Sequence, residues 1–171
     1  MWEFEVWWGI LIFWLGACFG SFANVIIVRL PKGESVVLPR SACRSCNKPI
    51  HWYDNMPIVS WLILLGKCRS CRAEISPRYL FVELLMGVLF AATYVVVGWN
   101  FALLEYLVFI FGLVTVSFID LEHMILPDLF TLSGIVLGLL GALVSSERTV
   151  LSSLAGVIMG GGFFWLVAYL Y

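Results

Sequence analysis

The chain has 171 residues, of which 62% are hydrophobic and 12% charged, with a formal net charge of −1. Soluble globular domains are about 45–50% apolar and about 25% charged, so this composition, with a mean hydropathy of +1.00, excludes an ordinary water-soluble domain and makes lipid the solvent for much of the chain. The near-neutral net charge offers no electrostatic footprint for a nucleic-acid partner.

The chain opens with MWEFEVWWG, which holds Glu3 and Glu5 and no Lys or Arg. A cleaved secretory signal needs a basic start, so the first apolar stretch reads as a retained helix. Stretches at about 7–28, 79–97, 101–119, 127–145 and 150–170 reach the roughly 20 apolar residues of a spanning helix. The expected fold class is therefore all-α, a polytopic membrane helix bundle of about five spans. The expected domains are a first transmembrane helix (1–28), a loop domain (29–78) and transmembrane helices two to five (79–171). Cys18 is expected to be a small residue on a buried helix face. No convincing internal repeat is apparent.

Charge orients the bundle. Of the ten Lys and Arg, nine fall in residues 29–78, and the tenth is Arg148. Basic loops stay in the cytoplasm, so the 29–78 loop is cytoplasmic and the N-terminus lies outside. Trp7, Trp8 and Trp99 sit where interfacial aromatics belong.

Within that loop, "CRSCNKPI" begins at Cys43 and "CRSCRAEI" at Cys68. Each C-x-x-C places two sulfurs on one tight turn, and two such knuckles complete a tetrahedral Zn²⁺ site. The predicted ligands are Cys43, Cys46, Cys68 and Cys71, with Arg44, Lys48, Arg69 and Arg72 favouring thiolate. Disulfides or a redox pair are the alternatives, disfavoured in a reducing compartment. The metal would order a loop that lacks a large core of its own. The stretch between the knuckles is amphiphilic and is expected to lie against the membrane surface or the helices. His51 reads as a surface group and not as a fifth ligand.

Next come the carboxylates. "SFIDLEHMILPD" (117–128) ends the third apolar stretch. Ionisable residues in spans are functional candidates, and Asp120 is either catalytic or a marker of the helix end at the headgroups. Asp128, after Pro127, suits the first turn of the next helix and is a weak catalytic candidate. Glu122 and His123 are placed in a short cytoplasmic loop. Glu83, one turn into the second span, could snorkel, pair with Arg78 or bind substrate.

In this order, "GSFANVIIVRLP" (20–31), the paired knuckles, "SPRYLFVELLMG" (76–87) and "FIDLEHMILPD" (118–128) resemble the bacterial type IV prepilin peptidases, also called leader peptidase/N-methyltransferases. The resemblance implies a bifunctional enzyme of the bacterial inner membrane. It would cut the basic leader from prepilins or type II pseudopilins at the cytoplasmic face, then methylate the new N-terminus with S-adenosylmethionine. It also implies two catalytic aspartates and no catalytic metal, with Asp120 as the first. The second belongs to a G-x-G-D motif, and these 171 residues contain none. "GGGFFW" (160–165) has the glycines without the acid. The expectation is thus an N-terminal part of a longer enzyme, inactive as a peptidase by itself. No Rossmann-type glycine pattern is present, so the methyl donor falls to polar positions in the motifs, Ser21, Asn24 and Glu83. Interhelical hydrogen bonding is the other reading of these three.

A basic leader meeting a basic loop is an electrostatic conflict. Glu34, Asp54 and Glu74 are the local acids that could relieve it. Two readings compete with the enzyme: a non-enzymatic membrane zinc protein that docks a pilus or secretion partner, and a membrane thiol oxidoreductase.

Overall fold

The computed structural model describes residues 2–144 and 149–170. Arg148, expected in an outer loop, lies outside the described residues. The fold is all-α: α1 (Trp2–Arg29), α2 (Val59–Ile63), α3 (Pro77–Val97), α4 (Phe101–His123), α5 (Asp128–Val144) and α6 (Val150–Leu170). Short 3₁₀ turns at Leu30–Lys32 and Trp52–Asn55 punctuate the loop between α1 and α3. Four helices, α1, α3, α4 and α6, are long and apolar enough to cross a membrane. The fifth expected span is shorter. Pro127 stops upstream extension, and α5 has 17 residues, about 26 Å of helix against a hydrocarbon core of about 30 Å.

Local chemistry sets the helix ends. Ser76 caps α3, accepting from the Arg78 N–H at 3.3 Å, with Pro77 in the first turn. Gly98, at φ 69°, closes the same helix by donating to the Tyr94 carbonyl. Asn100 Oδ1 caps α4 by accepting from Leu103 N–H at 3.0 Å. The α4 helix runs on to His123, where Met124 turns left-handed and donates to the Asp120 carbonyl at 2.8 Å. Glu122 and His123, expected in a loop, therefore belong to the last helical turn. The short links 98–100 and 124–127 make α3, α4 and α5 successive antiparallel neighbours.

Between helices in lipid no hydrophobic force drives association, so close backbone approach and hydrogen bonds do that work. The α1–α3 seam is built this way. A Cβ on Gly16 would lie 2.7 Å from the Met86 carbonyl oxygen, and one on Gly20 would lie 2.7 Å from Glu83 Cα. Gly87 answers from α3, where a Cβ would meet the Phe13 ring at 2.8 Å. Asn24 then donates across the seam from Nδ2 to the Tyr79 carbonyl at 3.0 Å, a bond worth about 0.6 and at most about 1.7 kcal/mol in a membrane. Ile27, Val82, Met86, Phe90 and Ile119 form the buried core where α4 joins. At the opposite end, Trp8 packs edge-on against Trp99 (4.9 Å) and Trp99 against Tyr94 (5.5 Å), so two of the three tryptophans expected at an interface share one end of the bundle.

Gly20→Val is expected to force α1 from α3, because its nearest obstacles are backbone atoms. Overpacking of this kind costs about 1–3 kcal/mol. A lowered thermal midpoint in detergent should report it, while Gly9→Ala, which meets nothing within 4 Å, should leave the midpoint in place.

Candidate functional site

The four loop cysteines come together with all sulfurs within 4.8 Å of one another. All are free thiols. Cys43 Sγ and Cys71 Sγ, from different knuckles, are 3.7 Å apart. A tetrahedron with Zn–S arms of about 2.3 Å has edges of about 3.8 Å, so the donor set and its spacing fit Zn²⁺. His51 stands apart, stacked on Tyr53 at 5.2 Å, as expected of a surface group.

The knuckles repeat each other. Asn47 N–H donates to the Cys43 carbonyl (2.9 Å) and Cys43 N–H to Lys48 (3.0 Å). Twenty-five residues later, Arg72 N–H donates to Cys68 (3.0 Å) and Cys68 N–H to Ala73 (2.8 Å). Ile50 N–H to Ser41 and Ile75 N–H to Gly66 close the two turns, and isolated bridges 42–49 and 67–74 flank them. Asn47 and Arg72 both take positive φ (55° and 61°). Read at this offset, SACRSCNKPI (41–50) and GKCRSCRAEI (66–75) share five of ten residues. The loop is thus an internal repeat, contrary to the sequence reading, which was dominated by the apolar helices.

Backbone N–H groups of Cys46 and Ser45 pull the Cys43 thiol down to about 6. At Cys71, the Ala73 N–H pulls down, but desolvation and hydrogen bonds to neighbouring sulfurs outweigh it and push the thiol up to about 11. One ligand is therefore pre-ionised at neutral pH, and another must give up a proton to a metal.

Asp54, in the second 3₁₀ turn, ties the spacer to the second knuckle through a bidentate pair with Arg69 (2.6 and 2.9 Å). The Arg69 hydrogen bond holds the Asp54 carboxyl below its ordinary value. That contribution is complete above the unfolded carboxyl value of about 3.9 and fades as pH falls below it. With Arg69 more than half exposed, solvent screening keeps the pair's contribution to stability small.

The loop is anchored to the bundle at Ile58. Val59 N–H donates to the Pro57 carbonyl at 2.5 Å, forming a γ-turn with Ile58 at φ 63°, ψ −57°. A β-branched residue there costs about 1–3 kcal/mol. The freed Ile58 N–H donates to Glu83 Oε2 at 2.7 Å, a bond that contributes about 0.5–1.5 kcal/mol and offsets part of the strain. Glu83 is 7% exposed, and Ser21 of α1 lies against its carboxylate. Two of the predicted polar positions thus meet. The third, Asn24, is 1% exposed and leaves Oδ1 without a partner. Arg78 does not pair with Glu83; it forms an ion pair with Glu122, stapling the start of α3 to the end of α4.

Asp120 lies in the last turn of α4, exposed, with no hydrogen bond or ion pair to its carboxylate among the described residues. Asp128 is exposed at the first residue of α5. The four-residue link 124–127 puts both at one end of the bundle, the end that carries the cysteine loop. Ile58, the Arg78–Glu122 pair and the knuckle repeat were not read from the sequence. Only the repeat left a readable signal there.

Residues 14–97 match the bacterial peptidase A24 N-terminal domain, and residues 107–171 match the type IV leader peptidase family. The chain is similar to the prepilin leader peptidase/N-methyltransferase of Myxococcus xanthus, with 41% identity over 94% of this chain and 48% of that protein. Proteins of the same name from Aeromonas hydrophila (36% identity, 91% of this chain, 63% of that protein) and Klebsiella pneumoniae (34%, 93% and 74%) are also similar. The chain spans about half to three quarters of the length of these relatives. No solved structure matches it.

Proposed function

The chain belongs to the type IV leader peptidase family, and from that membership we propose that it supplies the zinc loop and one catalytic acid of a prepilin leader peptidase/N-methyltransferase. The observation that carries this reading is Asp120: an exposed carboxyl on the last turn of an apolar, membrane-length helix, at the end that bears the cysteine loop. A pilin-like substrate has a long apolar helix that can stay in lipid. Its scissile bond then waits at the membrane rim, at the level of such an acid.

In this proposal the protein is multi-pass in the bacterial inner membrane, with the N-terminus periplasmic and the cysteine loop cytoplasmic. The substrates are prepilins or type II pseudopilins. One aspartate takes a proton from water as it attacks the scissile carbonyl, and a protonated partner donates to the peptide. Such a pair titrates as a unit, so the two roles are not divided between residues. Asp120 is one member. The other belongs to a G-x-G-D stretch, a pattern these residues do not contain, with Asp128 the weaker alternative.

Cleavage frees an α-amine, whose ordinary value near 7.7–8.0 leaves a nucleophilic fraction at neutral pH. S-adenosylmethionine would supply the methyl group. The patch of Ser21, Asn24 and Glu83 offers acceptors and a carboxylate to a cationic donor, and the orphaned Asn24 Oδ1 is the feature that favours it. Zinc has a structural role only: it holds the knuckles and, through Ile58, the loop against α3.

The full-length protein, reconstituted in vesicles with a prepilin, should shorten the substrate by its leader. It should also move labelled methyl from S-adenosylmethionine to the new N-terminus. If neither product forms while zinc is retained, the enzyme reading gives way to a zinc-bearing docking protein.

A further inference from the structure

Cys18, Ser21, Phe22, Val25 and Arg29 fall on one face of α1 and line a cavity of about 570 Å³, which borders the proposed methyl-donor patch only at Ser21. Cys18, expected on a buried face, is exposed to this cavity. It precedes Arg29 by eleven residues, about 16 Å of helix. The cavity therefore runs from within the apolar length of α1 to its basic last turn. Loop residues Val37, Arg40 and Trp52 form the facing wall, and no Asp or Glu lines it. Arg29 spends one donor on the Ser35 carbonyl at 3.0 Å. The Arg40 guanidinium makes no hydrogen bond or ion pair among the described residues, leaving all five of its N–H donors available.

Charge and shape select the occupant. S-adenosylmethionine carries a sulfonium and an ammonium against one carboxylate, so it is net cationic, and two guanidiniums repel it. A basic leader meets the same repulsion. An anionic head joined to an apolar tail fits both ends. Basic pockets at the cytoplasmic ends of membrane helices take phospholipid headgroups in this way.

We propose that this cavity binds an anionic phospholipid, its phosphate between Arg29 and Arg40 and an acyl chain along Val25 and Phe22. Taken with the peptidase reading, the lipid has a consequence for the substrate. It neutralises part of the basic loop that would otherwise repel a basic leader. Asp54 cannot do so, because it is already committed to Arg69.

The test uses the full-length protein in phosphatidylcholine nanodiscs doped with photoreactive phosphatidylglycerol. Crosslinks are mapped by peptide mass and repeated with a photoreactive phosphatidylcholine. Phosphatidylglycerol should label residues 18–57, and phosphatidylcholine should not. Arg40→Gln should lower the labelling about fivefold, the effect of one basic group at a membrane surface, with zinc content unchanged as the sign of an intact loop. Lys67→Gln, outside the cavity, should leave labelling as it is. Equal loss with Lys67→Gln would mean diffuse attraction to the loop and overturn the site. Competition by millimolar inorganic phosphate would make it a free-anion site. Displacement by S-adenosylmethionine would make it the donor site. Either result, or unchanged labelling in Arg40→Gln, overturns the proposal without touching the peptidase reading, which cleavage of prepilin reports separately.

Discussion

Asp120→Asn in the full-length protein is expected to lower leader cleavage by a factor on the order of 10²–10⁴, the range that one acid–base group supplies. The amide can neither take a proton from water nor hold one to give. Its fold should survive the change, because the Asp120 side chain has no partner among the described residues and the cap of α4 uses only the backbone carbonyl, which Met124 N–H still reaches. Zinc content and thermal midpoint should therefore match the parent, separating chemistry from folding. Asp128→Asn is the companion measurement. It removes a charge near a helix start, worth about 0.3–1 kcal/mol, and should leave cleavage nearly intact. Normal cleavage by Asp120→Asn would end the assignment, and loss in Asp128→Asn alone would transfer it. If the methyl site is separate, Asp120→Asn should still methylate a precleaved substrate.

Cys43→Ser should empty the loop of zinc. A structural zinc contributes about 10–16 kcal/mol of apparent binding energy to small domains at neutral pH, and a hydroxyl is a poor substitute for a thiolate. Because the knuckles are equivalent in geometry, Cys68→Ser should do the same damage. Helix content and membrane insertion should persist, since the core of α1, α3 and α4 does not pass through the loop. Acid should mimic the mutation. Protons compete with metal for the thiols, so binding weakens as pH falls. Above about 6, Cys43 is already thiolate, and the proton of Cys71 is displaced on binding. Below about 6, Cys43 must be deprotonated as well, and the loss steepens. Zinc measured after dialysis from pH 8 to pH 4 should fall towards the acid end, most steeply below about 6. Full retention at pH 4, or in Cys43→Ser, would mean the four thiols are not the metal site.

Hydropathy located the apolar helices to within a few residues because lipid demands a long apolar run. It missed the last turn of α4, since Glu122 and His123 read as polar loop and Asp120 as the helix end. The turn is helical because its backbone bonds close regardless of side-chain polarity, ending only where Met124 goes left-handed. The four-cysteine cluster was legible because four thiols at knuckle spacing have few other uses. Glu83 stood out as an acid in an apolar helix, but its partner did not. The group it holds is a backbone N–H, which every residue but proline owns, and only the γ-turn at Ile58 turns that N–H toward the acid. The Arg78–Glu122 pair was hidden likewise by a separation of 44 residues. Long-range pairs of this sort follow from the antiparallel return of α4, not from any local pattern.

The seam between α1 and α3 has a cost in time. Asn24 finds its acceptor at Tyr79, 55 residues later. At about 5–20 residues per second of synthesis, the amide waits roughly 3–11 s before that acceptor has even been made. Throughout that wait the notch at Gly16 and Gly20 is open and the side-chain amide has nothing to bond. The newborn first helix therefore carries an open notch through the synthesis of the whole cysteine loop, and in those seconds another helix is able to occupy it.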